Sequence, residues 1–320
     1  MPWLGSLFIL LLFPLIVTAQ NEQVITFESA NPFGFSDIIN ALAEQPSQSV
    51  HGLLKFPNDT LQDKKYPLIV GVAGSLGWRA HHLDYMAMYR DNGFATFELK
   101  SFASRGVTST VGEQNQVTIA AVILDAYRAL EKLAAHPHIN AENVAITGWS
   151  LGGGVSLFSG WMPLKEAITN KVSFKAHLAF YPPCFVRPED TRFTDAPIQL
   201  MIGEEDNWTP AAPCEQLVDL LAPATTISLT TFPGAHHGFD SQSPVVQNER
   251  GYSFKDCMFD LTADGEVLMN YLHLPMSGPL MQKLGFLFCV ERGVTIGGHP
   301  PSRAKALPMA LAFMQQHLDQ

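Results

Sequence analysis

Residues 144–154 read VAITGWSLGGG, and this stretch decides the fold. Its first four residues suit a buried strand, Gly148-Trp149-Ser150-Leu151-Gly152 spells G-x-S-x-G, and Gly152-Gly153-Gly154 opens a small-residue helix. A serine at the tip of a sharp strand-to-helix turn sits in strained backbone, and flanking residues without a Cβ let strand and helix close around it. The hydroxyl is then presented above the sheet, and the N–H of Leu151, at the new helix's N-terminus, is free to meet a developing oxyanion. In a chain with 24 glycines among 320 residues the five-residue pattern needs support from its context. The apolar strand before it and the glycines after it supply that support.

Working outward, the chain alternates strand and helix signals. Strands are expected over 24–28 and 50–56, with a helical or irregular 35–43 between them. The run Tyr66-Pro67-Leu68-Ile69-Val70-Gly71-Val72 suits a strand buried on both faces, and it leads into Ala73-Gly74-Ser75-Leu76-Gly77, a loop placed to give an oxyanion hole its second N–H. A helix over 82–91, a strand over 93–99 and a long polar loop over 100–116 follow. Ile119, Val122, Ile123, Ala126, Leu130 and Leu133 keep helical spacing, which predicts an amphipathic helix over 117–135. Past the elbow strand (143–147) and its helix (150–161), strands over 174–180, 198–202 and 226–232 and a helix over 214–221 continue the rhythm. Such alternation predicts an α/β fold with a mostly parallel sheet and helices on both faces. The rhythm breaks over 241–300, read as a late insertion with a hairpin at 257–269, and a C-terminal helix over 301–318 closes one domain spanning 20–320.

Residues 1–19 form an apolar run ending Val17-Thr18-Ala19, which resembles a secretory signal peptide and predicts an exported, periplasmic or extracellular protein without stable membrane association after cleavage. The run contains Pro14 and is short for a bilayer span. The net charge of −10, with no basic cluster, argues against nucleic acid as a partner. Four cysteines in an exported chain point to two disulfides. Three pairings exist. Cys184 and Cys214 lie near neighbouring strand ends, and Cys257 and Cys289 both fall in the insertion, so 184–214 with 257–289 is the expected set.

A serine nucleophile needs a base within hydrogen-bond reach and a third group to orient that base. In an elbow fold both follow the serine in the chain. The segment Glu204-Glu205-Asp206-Asn207-Trp208-Thr209-Pro210 offers three acids after one strand, and Ala235-His236-His237-Gly238-Phe239-Asp240 offers two histidines after the next. Carboxyl-end loops of a parallel sheet share a crevice, so these segments are expected to meet.

In this order the motifs resemble the dienelactone hydrolase family of the α/β-hydrolase superfamily, over roughly 50–240 and the final helix. Matched residue by residue, the Gly-x-x-Asp acid loop ending near Trp-Thr-Pro implies Asp206, the Gly-x-x-His-x-Phe-Asp base loop implies His237, and the elbow implies Ser150. The family's named enzyme carries a cysteine at the nucleophile position, so dienelactone hydrolysis itself does not follow. Ala73-Gly74 replaces a His-Gly common in relatives, which puts the oxyanion-hole position on Ser75, paired with Leu151. Arg105, in a loop resembling one whose arginine lies near the family's pocket, is read either as an anchor for a substrate anion or as a brace held by a structural ion pair. Trp149, Trp208, Phe102 and Tyr181 are candidates to line an apolar acyl pocket. The sequons at Asn58 and Asn207 are read as chance matches, because a glycan on the second would obstruct the acid loop.

The expectation is a cofactor-independent serine hydrolase acting on a small-molecule ester, lactone or thioester. Two alternatives stay open: a peptidase of the same fold, and a catalytically silent binding protein that keeps the elbow as structure.

Overall fold

The computed structural model describes residues 22–58 and 64–318. The signal-peptide reading of residues 1–19 lies outside the described residues. Strands Glu22–Ala30, Ser47–Lys55, Ala95–Leu99, Tyr66–Val72, Ile139–Trp149, Ala176–Phe180, Ile198–Gly203 and Ile227–Phe232 lie side by side in that order as an 8-stranded sheet. Ser47–Lys55 pairs antiparallel with both neighbours, and every later junction is parallel. Strands Tyr66–Val72, Ala95–Leu99 and Ala176–Phe180 are wholly buried, as expected of predominantly apolar strands covered on both faces.

Alternation along the elbow strand sorts the helices onto two faces. Trp149 packs against Tyr85 of helix Ala80–Asp91, which in turn packs on the C-terminal helix Pro300–His317. Gly148, one residue earlier, faces the elbow helix Leu151–Phe158, which packs on helix Ile119–Ala134. The latter helix is capped by Thr118, whose hydroxyl accepts the Ala121 N–H at 3.1 Å. These layers make the α/β-hydrolase fold.

Several boundaries differ from expectation: the elbow strand runs longer, Ile139–Trp149, a short helix Ser101–Ser104 opens the expected loop 100–116, and two differences lie near the site. The elbow helix stops at Phe158, because Gly160 turns the chain and Pro163 starts a separate helix, Met162–Ile168. The late segment carries the expected pairing of Phe259–Leu261 with Val267–Leu268, and adds a ribbon of Val246–Ser253 with Glu291–Ile296 and a helix Pro279–Phe286. Val186–Pro188 joins Phe259–Leu261 in parallel, tying this segment to the main body.

Below the late segment a second apolar cluster gathers Phe185, Trp208, Phe254, Phe259, Met276 and both cysteines of the Cys257–Cys289 disulfide. Cys184 and Cys214 form the other disulfide, as expected. Two disulfides fit an oxidising compartment. No helix among the described residues is long and apolar enough to cross a membrane.

Candidate active site

The elbow strand delivers Ser150 at φ 57 and ψ −116, a region that non-glycine residues rarely occupy. The neighbouring backbone determines this geometry. The Ser150 N–H donates to the Phe180 carbonyl at 2.9 Å, and the Ser150 carbonyl accepts the Gly154 N–H at 2.9 Å. A Cβ on Gly148 would lie 2.0 Å from the Gly152 carbonyl oxygen, and one on Gly152 would lie 2.2 Å from that of Val72. The motif's two glycines are therefore steric requirements of the turn.

Strands Ile198–Gly203 and Ile227–Phe232 are neighbours, and the loops that leave them are locked together. The Glu205 N–H donates to the Ala235 carbonyl at 2.9 Å. The junction brings Asp206 and His237 toward the serine and leaves the competing residues outside. His237 Nε2 lies 2.9 Å from Ser150 Oγ, and His237 Nδ1 lies 2.7 Å from Asp206 Oδ2. Asp206 Oδ1 accepts the N–H groups of Trp208 and Thr209, both at 2.9 Å, which fixes the carboxylate with Oδ2 aimed at the imidazole. Glu204 accepts the Gly234 N–H instead, and His236 Nδ1 faces the Glu205 carbonyl.

Around the imidazole, the Tyr181 and Trp208 rings sit 4.6 Å and 4.8 Å away, centre to centre. Thr209 Oγ1 lies 3.0 Å from the Tyr181 carbonyl and 3.1 Å from His237 Nδ1. The His237 carbonyl accepts the Gly297 N–H at 2.9 Å, so the end of the late segment holds the base loop. Leu151 is the first residue of its helix, and its N–H has no carbonyl one turn back to bond. The loop carrying Ser75 lies against the elbow: a Cβ on Gly74 would be 3.0 Å from the Trp149 carbonyl oxygen. Ser75 and Ser150 border the same two cavities.

Two expected pocket residues, Arg105 and Phe102, lie away from Ser150, and a third, Trp149, keeps its ring buried. Trp149 borders the larger cleft beside Ser150, but its ring is fully buried between His82 and Phe180, stacked at 4.5 Å and 5.4 Å, because the period-two alternation of its strand points the indole into the opposite layer. Arg105 borders neither cavity at Ser150. Its guanidinium is engaged by Asp125 at 2.7 Å and 3.1 Å, by Asn31 at 2.6 Å and by the Ser101 and Ala30 carbonyls, which describes the brace and leaves no donor for a substrate anion. Phe102 lines a separate cavity with Leu99 and Val122. Trp208 and Tyr181 do border the site.

The sequence reading gave no role to Asp240, a fully buried carboxylate three residues beyond His237. It accepts hydrogen bonds from Trp149 Nε1 at 3.0 Å and the Tyr181 hydroxyl at 2.9 Å. Burial, reinforced by Asp240, holds the Tyr181 hydroxyl well above the usual phenol range, so it stays a donor. Burial likewise pushes His82 well below the ordinary imidazole range, with His81 and Arg79 adding to the effect.

A family model of the dienelactone hydrolase family matches residues 60–255, more than half of the chain. Among solved structures, the chain is similar to a candidate dienelactone hydrolase from Klebsiella pneumoniae subsp. pneumoniae, with 16% identity, a TM-score of 0.54 and coverage of 92% of this chain and 99% of that one. A dienelactone hydrolase-like promiscuous phosphotriesterase from metagenomic libraries gives 14% identity, a TM-score of 0.54 and coverage of 93% and 99%. At these identities the likeness is one of fold. No curated protein matches by sequence. With its sheet, its elbow serine and this match, the chain belongs to the dienelactone hydrolase family and is a hydrolase of the carboxylic-ester type.

Proposed function

We propose that this chain is an exported serine hydrolase that cleaves ester, lactone or thioester bonds through an acyl-enzyme on Ser150. The observation that carries the reading is the continuous chain of contacts from Ser150 Oγ to His237 Nε2 at 2.9 Å and from His237 Nδ1 to Asp206 Oδ2 at 2.7 Å. Asp206 holds the tautomer in which Nδ1 carries the proton and the Nε2 lone pair faces the hydroxyl. As Ser150 Oγ bonds to the substrate carbonyl carbon, its proton passes to Nε2. The tetrahedral oxyanion takes hydrogen bonds from the Leu151 and Ser75 N–H groups, each worth about 3 kcal/mol in the transition state. Collapse breaks the bond to the leaving oxygen or sulfur, which receives the proton from Nε2. Water then repeats the sequence, with His237 as its base, and frees the acid.

The export part of the reading rests on the small-residue pattern ending the apolar run over 1–19 and on the two disulfides. Residues 20–320 act as one domain in which 241–300 covers the site. Replacing Ser150→Ala tests the chemistry: hydrolysis of a short p-nitrophenyl ester falls to the uncatalysed rate while circular dichroism stays unchanged. Retained turnover removes the serine from the mechanism.

A further inference from the structure

Two cavities meet at Ser150, one without charged residues and one with several. One, of about 170 Å³, is walled mainly by Phe33, Phe185, Phe254, Phe259, Met276 and Phe286; Gln114, Thr118 and Gln282 are polar neighbours in the lining, and none of its lining residues is charged. The other is a wide open cleft of about 1120 Å³ that presents Arg79, His81, Asp84, Gln242, Glu249 and Arg250. Ser75, Ser150 and Trp208 border both, whereas His237 borders the open cleft and not the apolar cavity.

That asymmetry assigns the two halves of a substrate. The imidazole that takes the serine proton must return it to the departing atom, so the leaving group lies on the imidazole's side. The acyl substituent then points the other way, past Leu151. Resting on the acyl-enzyme reading above, we infer that the apolar cavity is the acyl subsite for a carboxylic acid bearing a compact apolar group of about six to eight carbons, aryl or alkyl, and that the open cleft receives a larger polar alcohol or thiol. The size follows from comparison with an apolar protein cavity of about 150 Å³, which holds one benzene ring.

The cavity's walls are built to keep that size. Phe254 stacks on Phe185 at 4.4 Å, and Phe286 meets the Phe254 edge at 5.3 Å. Phe254, Phe259, Met276 and Phe286 all come from the late segment, whose Cys257–Cys289 disulfide is buried in the same cluster. An acyl group carrying its own carboxylate would enter this cavity with no cationic side chain to meet it, at a large desolvation cost. A small lactone, with acyl and leaving groups in one ring, fills neither cavity. The preferred class is therefore open-chain esters and thioesters of neutral acids.

The test uses the full chain and p-nitrophenyl esters of acids from acetate to dodecanoate, with phenylacetate and hemisuccinate. The expected kcat/KM rises about three- to fourfold per methylene up to hexanoate or octanoate and falls steeply by dodecanoate. Phenylacetate ranks with the best, and hemisuccinate ranks well below butyrate. Val186→Trp, which fills the cavity, moves the optimum to shorter acids, and Met276→Ala moves it to longer ones. Each shift is read as a ratio of substrates within one variant, so a loss of folded protein cancels. A flat chain-length profile with Ser150-dependent turnover, or cavity variants that change preference for the leaving group instead, overturns the assignment. Absence of turnover on every ester, acetate included, overturns the acyl-enzyme reading beneath it.

Discussion

The indole of Trp149, immediately before the elbow serine, donates from Nε1 to Oδ2 of Asp240, three residues beyond His237, at 3.0 Å. This bond ties the strand that carries the hydroxyl to the loop that carries the imidazole, deep under the sheet's carboxyl end. Both groups are fully buried, so water does not replace either partner. The Arg303 guanidinium donates to the Asp240 backbone carbonyl and pairs with Asp84 at 2.7 Å, anchoring the same loop to the C-terminal helix.

In the proposed mechanism this makes Asp240 a positioning residue. Asp240→Asn keeps one acceptor for Trp149 or Tyr181 but turns an amide N–H₂ toward the other donor. The expected outcome is about 1–3 kcal/mol lost in chemical denaturation and a roughly tenfold lower kcat with KM little changed. Unchanged stability and kcat would show that this bond does not align the site.

Arg105 and Asp125 form a two-pronged pair whose side chains are 6% and 0% exposed. Removing one partner of a buried pair leaves the other unpaired, so Arg105→Ala is expected to cost about 3–5 kcal/mol. Arg105→Lys also destabilises, because a point charge cannot make the planar fork. Per folded molecule, kcat/KM for neutral and anionic esters changes by the same factor. A selective loss on the anionic ester would restore the arginine as a substrate anchor.

The disulfide closing the late segment spans 32 residues. The double variant Cys257→Ala with Cys289→Ala is expected to lose about 3–4 kcal/mol through the freed unfolded chain, measured by urea denaturation. Stability within error of the parent would contradict a stapled segment.

Stability also depends on buried imidazoles. His177, on the central strand Ala176–Phe180 with Nδ1 donating to the Ser156 carbonyl at 2.8 Å, is pushed down to about 4 by burial. His82 is lowered in the same direction by burial. Both lie below the unfolded value of about 6.5, so the unfolded state binds more protons in the window between. Their contribution is intact above pH 6.5 and is lost as pH falls toward 4, about 3 kcal/mol for His177 alone. Denaturation midpoints at pH 7 and pH 4.5 test this, and His177→Gln flattens the difference. Equal midpoints in the parent protein would contradict it.

The main sheet could be read from the chain because its inner strands are apolar on both faces and the elbow fixes one of them by sequence alone. The ribbon strand Val246–Ser253, VQNERGYS, could not. It is mostly exposed, carries no alternation, and exists because Glu291–Ile296 pairs with it far along the chain. Motif order alone left three acids and two histidines open, since Glu204, Glu205 and His236 are chemically equivalent until the neighbouring loops are placed, and only the resemblance to the family's loops singled out Asp206 and His237. The burial of Trp149 was available in principle: Gly148 must face the elbow helix, so the next side chain must face the opposite layer. Nothing local signals that Asp125 waits for Arg105, or that phenylalanines beyond residue 250 wall the cavity beside Ser150.

Incubating the folded protein with a fluorophosphonate and mapping the adduct by mass spectrometry tests the central claim most directly. The account predicts one stoichiometric adduct on Ser150, greatly slowed in His237→Ala and absent in Ser150→Ala. An unlabelled protein, or an adduct on any other residue, would contradict it.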